Sequence, residues 1–267
     1  MATGFERFKR ILVPVDFSSR SANALNYAVA LGSIAHAEID VVHVWRSDLA
    51  NHVTVARERA KSELRDFVSG LELHGQVALR RRAELGDPYL TIQRLAQLTG
   101  YDLLVLAGPE PTRSLVDSVA LGLLRSASTP VLFVPAHCSA RLRSEREPVL
   151  RLERILVPLA LAGAELSALD CACELAETDD ARVEALLTSD ALPDQFQRLS
   201  VRPKSDRVSE TQLRGGSEEA APQRVQSSRF DWLVVATKRA QFGERATDAR
   251  LERIALSVPC ATLSLPD

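Results

Sequence analysis

Arg10-Ile-Leu-Val-Pro14 recurs 144 residues further along the chain as Arg154-Ile-Leu-Val-Pro158. At the same offset, residues 10–28 and 154–172 are identical at eight of nineteen positions. A second repeated segment pairs Asp102-Leu-Leu-Val-Leu-Ala107 with Asp231-Trp-Leu-Val-Val-Ala236 at an offset of 129. Self-similarity over this length indicates two tandem copies of one structural unit. The two offsets differ by 15 residues, so the second copy is a shortened one.

The first copy alternates short apolar runs with amphipathic stretches. Strands are predicted at five of the runs: Ile11–Val15, Ile39–Trp45, Val77–Ala83, Leu103–Ala107 and Val131–Val134. Helices are predicted from a cap at Ser18 or Ser19 to an end formed by Gly32 and the residues that follow it, and then at Val55–Leu71, Tyr89–Leu98 and Leu115–Arg125. Apolar strands that alternate with helices are typical of an α/β fold with a parallel, doubly wound sheet and right-handed crossovers.

The repeat also predicts the domain boundaries. We assign residues 1–136 to domain 1, the polar residues 137–151 to a linker, and residues 152–267 to domain 2. Apolar periodicity is weak over residues 190–228, so we expect the long second helix of domain 2 to be reduced to a stub. Pro222 falls in the segment that matches Tyr89–Leu98, so the helix there is expected to start late or to be broken.

Composition excludes several classes of function. The chain has 33 Lys and Arg against 35 Asp and Glu, and its net charge of -2 argues against a nucleic-acid partner bound through bulk phosphate neutralisation. No apolar stretch approaches the length of a membrane-spanning helix, so we expect no membrane partner. Four cysteines are too few for a disulfide framework, and the start of the chain lacks the apolar segment of a secretory signal. We therefore expect a cytoplasmic protein.

No catalytic or metal-binding motif is evident in the sequence. The five histidines are scattered over the first half, and His43, inside a predicted strand, is expected to be a satisfied residue of the core or of a pocket edge. Cys171 and Cys173 have no second pair or nearby histidine to complete a tetrahedral metal site, so core packing is expected for them. The run Arg80-Arg-Arg82 is expected to be a solvated strand edge, with an anion-binding patch as the alternative.

Several segments together resemble the universal stress protein family: Phe8-Lys-Arg-Ile-Leu-Val-Pro-Val-Asp-Phe-Ser18, the His43-Val44 pair, Gly86-Asp-Pro88, Tyr101-Asp-Leu-Leu-Val-Leu-Ala-Gly108, Ser118-Val-Ala120 and Thr129-Pro-Val-Leu132. The order and spacing match over residues 5–135, and a fainter copy covers residues 152–266. The resemblance implies two tandem five-stranded parallel-sheet domains of the adenine-nucleotide α-hydrolase-like fold. Each would have strand order 3-2-1-4-5, and the second would be shortened and degenerate.

The resemblance also implies a nucleotide site in domain 1. Pro14, Val15, Asp16 and Val44 match positions that line the adenosine pocket in ATP-binding members, and Gly108, Ser118 and Val119 match the phosphate side. Asp16 would accept a hydrogen bond from the adenine amino group. It would equally suit a helix cap, and both interpretations stay open.

The phosphate loop departs from the family signature, which is G-x2-G-x9-G-[S/T]. Pro111 and Asp117 replace two of the glycines, and the segment from Gly108 to Ser118 is four residues too short. A carboxylate about 5 Å from phosphate oxygens repels them by about 3 kcal/mol. Mg²⁺ bound by Asp117, or the charge of Arg113, would be the alternative that rebuilds the site. We expect the triphosphate cradle to be lost.

Domain 2 departs further from the family pattern. Ala160 stands where domain 1 has Asp16, and the glycine-rich loop is replaced by a polar segment that includes Lys238, Arg239, Gln241, Gly243, Glu244 and Arg245. We therefore expect this domain not to bind ATP.

These observations predict a non-catalytic stress-response protein. The two copies would pair as an intramolecular pseudo-dimer through their fifth strands, Val131–Val134 and Thr262–Leu265, and serve as a scaffold for an unidentified protein partner. Two such chains would form a homodimer. The alternative is a regulatory switch in which domain 1 binds ATP or AMP. An enzyme of the wider superfamily is a third, less favoured class, because no catalytic constellation is visible.

Overall fold

The computed structural model describes residues 4–46, 53–72, 77–98, 100–108, 118–138, 150–159, 165–187, 208–212, 217–237 and 249–266. Domain 1 begins with a short 3-10 turn at Gly4–Arg7. Its elements are then β1 (Arg10–Pro14), α1 (Ser19–Ala35), β2 (Glu38–Trp45), α2 (Val53–Ser69), β3 (Ala78–Leu85), α3 (Pro88–Leu98), β4 (Leu103–Ala107), α4 (Val119–Ser126) and β5 (Val131–Val134). In domain 2 they are β6 (Arg154–Leu159), α5 (Glu165–Asp179), β7 (Arg182–Leu187), β8 (Val208–Gln212), α6 (Ser217–Ser227), β9 (Trp232–Thr237), α7 (Ala249–Ser257) and β10 (Ala261–Pro266).

The ten strands form one sheet in the order β3-β2-β1-β4-β5-β10-β9-β6-β7-β8. Neighbouring strands within each half are parallel, and each half has the predicted order 3-2-1-4-5. The predicted pairing of the two fifth strands is confirmed, because β5 and β10 are antiparallel neighbours with Leu132 opposite Leu263. Each domain thus covers the strand edge that the other would leave unpaired.

The central strands of the sheet, such as β1, β4 and β5, are buried on both faces, as their continuous apolar runs predict, whereas the edge strand β3 is largely exposed. Helices α1, α2 and α5 pack on one face, and α3, α4, α6 and α7 cover the other. The hydrophobic core under α1, α2 and α5 is continuous through both domains, since it contains residues of α1 together with residues of α5 and β9.

The seam between the domains contains large aromatic side chains. Trp232 is fully buried, and its indole nitrogen donates to the Tyr27 hydroxyl at 2.5 Å. The ring of Phe5 meets Trp232 edge to face, 6.1 Å between centroids. The 3-10 turn also lies so close to α5 that a Cβ at Gly4 would come within 2.2 Å of the Glu174 backbone. The sequence pattern did not reveal this contribution of the N-terminal turn.

The repeat is visible in equivalent backbone contacts. Asp102 accepts hydrogen bonds from the backbone of Lys9 and Arg10, at 3.0 and 2.9 Å, and so fixes the start of β1. Asp231 does the same for β6 through the backbone of residues 153 and 154, at 2.7 and 3.0 Å. Each aspartate precedes the fourth strand of its own domain.

Two helix predictions have different outcomes. Helix α1 ends within the predicted region: it continues past Gly32 to Ala35 and closes where His36 adopts a left-handed conformation and donates its N–H to the Gly32 carbonyl. The predicted effect of Pro222 is wrong. Pro222 neither delays nor breaks α6, which begins at Ser217, the position equivalent to Pro88. Ala220, Ala221 and Val225 are buried on that helix, and this packing outweighs the local cost of the proline.

Some predictions concern residues outside the described part of the chain. These are the start of the predicted helix at 115–117, the stub expected within residues 188–207 and most of the linker, residues 139–149. The domain boundaries themselves remain a prediction.

Candidate functional site

A cavity with a volume of about 530 Å³ lies at the carboxyl ends of β1, β2 and β4. In open α/β sheets, ligands bind beyond the strand carboxyl ends where the strand order reverses, and β1 and β4 are the two strands at that point. All seven residues predicted for the nucleotide site line it: Pro14, Val15, Asp16, Val44, Gly108, Ser118 and Val119. The structure therefore brings together residues that are up to 105 positions apart in the sequence.

Asp16 lies just after β1, with its side chain fixed by the start of α1. Its Oδ1 accepts hydrogen bonds from the Ser18 backbone N–H at 3.1 Å and from the Ser18 hydroxyl at 2.5 Å. Ser18 in turn is the N-cap, accepting from the Ser21 N–H at 3.2 Å. The cap predicted at Ser18 or Ser19 is thus Ser18. Asp16 is not the cap residue but holds it in place.

The same contacts set the charge of Asp16. Partial burial raises the pKa of its carboxyl group, but the hydrogen bonds from Ser18 and Ser21 and the positive charge of Arg20 outweigh that effect. The net result is a lowered pKa. The cavity therefore contains a carboxylate that stays ionised at neutral pH and accepts hydrogen bonds.

Phe17 and His43 form a stacked pair beside Asp16. Their ring centroids are 4.1 Å apart, and His43 Nδ1 lies 2.9 Å from the Val15 carbonyl, which makes that nitrogen the protonated one. Phe17 adopts φ +63°, a left-handed conformation that costs a bulky residue about 1–3 kcal/mol. The stack and a further contact with Phe67 hold it there. His43 is the pocket-edge histidine that its sequence position predicted.

The opposite wall is the start of α4. Ser118 is its N-cap and accepts from the Leu121 N–H at 3.3 Å. The first N–H groups of a helix have no carbonyl partner within the helix, so this end of the cavity suits an anion. Gly108 faces it from the end of β4, where a Cβ would come within 3.3 Å of the Pro135 backbone.

Several lining residues were not identified from the sequence. Arg20 and Ser21, in the first turn of α1, add a cation and a hydroxyl, while Pro88 and Ile92 of α3 add an apolar wall. The sequence signal for Arg20 and Ser21 was present, because they follow the Ser18 cap on a helix that starts at the predicted site. Nothing local to α3 indicated that it would face the cavity.

The segment on which the predicted loss of the triphosphate cradle rests is not among the described residues. Pro111, Arg113 and Asp117 lie outside them, as do Ala160 and the segment 238–248 that replaces the loop in domain 2. Over the described residues, no group of three His, Cys, Asp or Glu side chains is arranged to hold a metal ion. In the same residues, no helix is both long and apolar enough to cross a membrane.

The model of the universal stress protein family matches residues 7–135. The chain belongs to this family through its first domain. A search of curated proteins finds no match.

Solved structures extend the likeness in fold to the whole chain. A universal stress protein from Archaeoglobus fulgidus is 15% identical and superimposes with a TM-score of 0.72, over 96% of this chain and 98% of that one. At that identity the likeness shows a common fold for both domains. A universal stress family protein from Burkholderia pseudomallei is 30% identical over 48% of this chain and 97% of its own, with a TM-score of 0.39. A universal stress protein in complex with cAMP is 21% identical over 48% of this chain and 97% of its own, with a TM-score of 0.42.

Proposed function

We propose that this protein is a non-catalytic, stress-response member of the family whose domain 1 binds an adenine nucleoside or its monophosphate. The observation that supports this most directly is the single cavity shared by Pro14, Val15, Asp16 and Val44 on one side and by Gly108, Ser118 and Val119 on the other. Of the two hypotheses drawn from the sequence, a partner-binding scaffold and a nucleotide-binding switch, the proposal favours the switch.

Size and chemistry of the cavity fit such a ligand. Small-molecule sites usually have volumes of about 300–1,000 Å³, and this cavity lies within that range. Val15, Val44 and Ile92 offer apolar surface to a purine, and the Asp16 carboxylate accepts from an amino or hydroxyl group. The amino end of α4 suits one phosphate group.

A monophosphate fits better than a triphosphate for reasons of sequence. Pro111 lacks a backbone N–H, Asp117 adds a negative charge next to Ser118, and the loop is four residues short of the family signature. Additional phosphates would therefore meet repulsion where ATP-binding members offer glycine amides.

Domain 2 is proposed to be a structural partner rather than a second nucleotide site. The pairing of β5 with β10 and the seam at Trp232 support an intramolecular pseudo-dimer of residues 1–136 and 152–267, joined by the linker 137–151. We propose that this cytoplasmic pseudo-dimer forms a homodimer and presents its outer surfaces to a protein partner.

Calorimetric titration with adenosine, AMP and ATP, each with and without Mg²⁺, tests the nucleotide site. One AMP is expected to bind per chain, and ATP is expected to bind more weakly. Asp16→Ala removes a hydrogen bond to a charged group, so AMP affinity is expected to fall about ten- to hundredfold. Asp66→Ala, on the exposed face of α2, is the matched control and leaves binding unchanged.

Two outcomes would contradict the proposal. Tighter binding of ATP than of AMP would show that the loop between Gly108 and Ser118 still forms a triphosphate site. Absence of heat with all three ligands, together with no nucleotide carried through purification, would leave the protein as a partner-binding scaffold. Pull-down of interacting proteins is then the next experiment.

A further inference from the structure

A second cavity lies at the junction of the two domains. Its volume is about 170 Å³, and two cysteine side chains line it, Cys138 from the start of the linker and Cys260 from just before β10. Both are free thiols and both are buried. They are 122 positions apart in the sequence, so only the pairing of the domains brings them to one place.

Backbone geometry places the two cysteines opposite one another. The register of β5 and β10 pairs Phe133 with Thr262. Continued for two more residues on each strand, the same register would set Pro135 against Cys260. The chain then turns back, because the N–H of Cys138 donates to the Pro135 carbonyl at 3.0 Å. Residues that close such a turn are within about 7 Å of each other. Cys138 is therefore returned towards the strand that begins with Ala261.

Electrostatic effects place the thiols in the same neighbourhood. A hydrogen bond from the backbone of Ala261, the residue that follows Cys260, acts to lower the pKa of the Cys138 thiol. Cys138 in turn raises the pKa of the Cys260 thiol, and both thiols raise the pKa of the Tyr27 hydroxyl. A disulfide between the two requires their Cα atoms to be about 4.4–6.8 Å apart.

We propose that Cys138 and Cys260 are a modification site, at which oxidation by a peroxide forms a disulfide that joins the start of the linker, next to domain 1, to domain 2. This inference is independent of the nucleotide site.

The chemistry balances with hydrogen peroxide as the two-electron oxidant. The Cys138 thiolate attacks one peroxide oxygen, the O–O bond breaks, and the products are a sulfenic acid and, after protonation of the leaving hydroxide, one water. The sulfur of Cys260 then displaces hydroxide from the sulfenic sulfur, and its proton completes a second water. Peroxide is small enough to enter, since the exposed side chains of His137, Arg151 and Arg229 form the outer part of the cavity.

The surroundings make this reaction slow at neutral pH. Burial raises the pKa of the Cys138 thiol to about 11, and it raises the pKa of Cys260 further. Asp231, at the start of β9, adds to the rise at both thiols. The thiolate is the nucleophile, and its fraction grows as the pH rises towards the pKa of Cys138. The rate of oxidation is therefore expected to increase about tenfold for each unit by which the pH is raised, up to that pKa. The pair would respond to sustained oxidation rather than to a brief pulse.

The test oxidises the full-length folded protein with hydrogen peroxide and counts free thiols. Two of the four thiols are expected to disappear and to return after dithiothreitol. Mass spectrometry of an unreduced digest is expected to find one cross-linked peptide pair, containing Cys138 and Cys260. In urea, the oxidised chain is expected to unfold at a higher midpoint than the reduced chain, because the bond closes a loop of more than 100 residues.

Variants separate this site from the other thiols. Cys138→Ser is expected to abolish the cross-link, whereas the double variant Cys171→Ser, Cys173→Ser, altered only on α5, is expected to keep it. Circular dichroism verifies that Cys138→Ser is folded, and Cys260→Ser gives a second test of the same loss. A Cys171–Cys173 bond, links between chains, or oxidation to sulfinic acid without a cross-link would each overturn the proposal.

Discussion

Asp40 of β2 and Glu184 of β7 occupy the same position in the two domains, 144 residues apart, and both acids are about 95% buried. Asp40 accepts a hydrogen bond from the Tyr101 hydroxyl, with the Arg82 guanidinium at 3.8 Å. Glu184 is held by two arginines, Arg154 at 3.1 Å and Arg224 of α6. The position of a buried acid has been retained since the duplication, while its partners have changed.

The exchange follows from two substitutions in the repeat. Phe230 stands where domain 1 has Tyr101, so domain 2 has no phenol to donate at this point. Arg224 occupies the position of Leu95 and supplies a cation from the helix instead. Burial raises the pKa of Glu184, but the bonds from Arg224, Thr211 and Arg154 outweigh it and the net pKa is lowered. In domain 1, burial and the bond to Asp40 raise the pKa of Tyr101.

The largest loss of stability is expected from disrupting the seam that joins the two domains. Trp232→Ala is expected to lower the free energy of unfolding by about 3–5 kcal/mol, because it removes the largest fully buried side chain. Its contacts, Phe5 and Tyr27, lie in domain 1, so both domains are expected to lose stability together. Urea unfolding followed by circular dichroism, and by the fluorescence of Trp45 in domain 1, measures this.

Leu85→Ala is the control for that experiment, because this leucine is exposed and should change stability by no more than about 0.5 kcal/mol. Separate transitions for the two probes in the Trp232 variant would mean that each domain folds without the other.

The buried acids themselves give the second test. Glu184→Gln is expected to cost about 3 kcal/mol, since two arginines lose their charged partner at a buried position. Asp40→Asn is expected to cost about 1–2 kcal/mol, because an amide oxygen still accepts from Tyr101 and Arg82 keeps its ion pair with Glu84. Urea unfolding of both variants measures the two losses of stability. Equal losses would show that the exchange of partners had no energetic consequence.

The pH dependence of stability tests the role of the buried Glu184. The folded pKa of Glu184 is lowered from 4.5, so its contribution to stability is complete above that pH and is lost as pH falls through the folded value. Unfolding free energy is therefore expected to drop less steeply between about pH 6 and pH 3 in Glu184→Gln than in the unaltered protein. Part of the slope persists in the variant, because the pKa of Asp16 is lowered in the same direction. An unchanged slope would contradict the assignment.

The smallest effect is expected at an ion pair that joins the domains across α4 and α7. Arg125 binds Glu252, but the arginine side chain is 39% exposed. A double-mutant cycle with Arg125→Ala and Glu252→Ala is expected to give a coupling energy of about 0.2–1 kcal/mol. A coupling above about 2 kcal/mol would show that this pair, and not only the apolar seam, holds the domains together.

Much of the fold was predictable because the relevant forces are local or periodic. β4 and β5 were predicted to the residue, since a strand buried on both faces needs an uninterrupted apolar run. The ends of α1 and the continuity of α6 were not predictable. His36 closes α1 through a backbone conformation that its residue type does not announce, and α6 tolerates Pro222 because its neighbours are buried.

The candidate site divides in the same way. The seven predicted residues belong to short segments at strand ends and at the start of α4, and the resemblance to a family located them. Arg20, Pro88 and Ile92 enter the same cavity from helices whose sequences describe only their own amphipathic faces. Which helix faces a cavity depends on how it packs on the sheet, and periodicity does not contain that information.

The sequence by itself determined the duplication, because the same residue types recur at a fixed spacing along one chain. Through its resemblance to a family, it also predicted the strand order, the seven residues that line the cavity and the departures from the family loop. Only the tertiary structure decided that Phe5, Tyr27 and Trp232 form one seam, that Arg224 replaces Tyr101 as partner of the buried acid, and that Cys138 and Cys260 line one cavity. The seam and the cysteine cavity exist because the two halves of the sheet share an edge, whereas Arg224 reaches the buried acid because α6 packs on the sheet of domain 2.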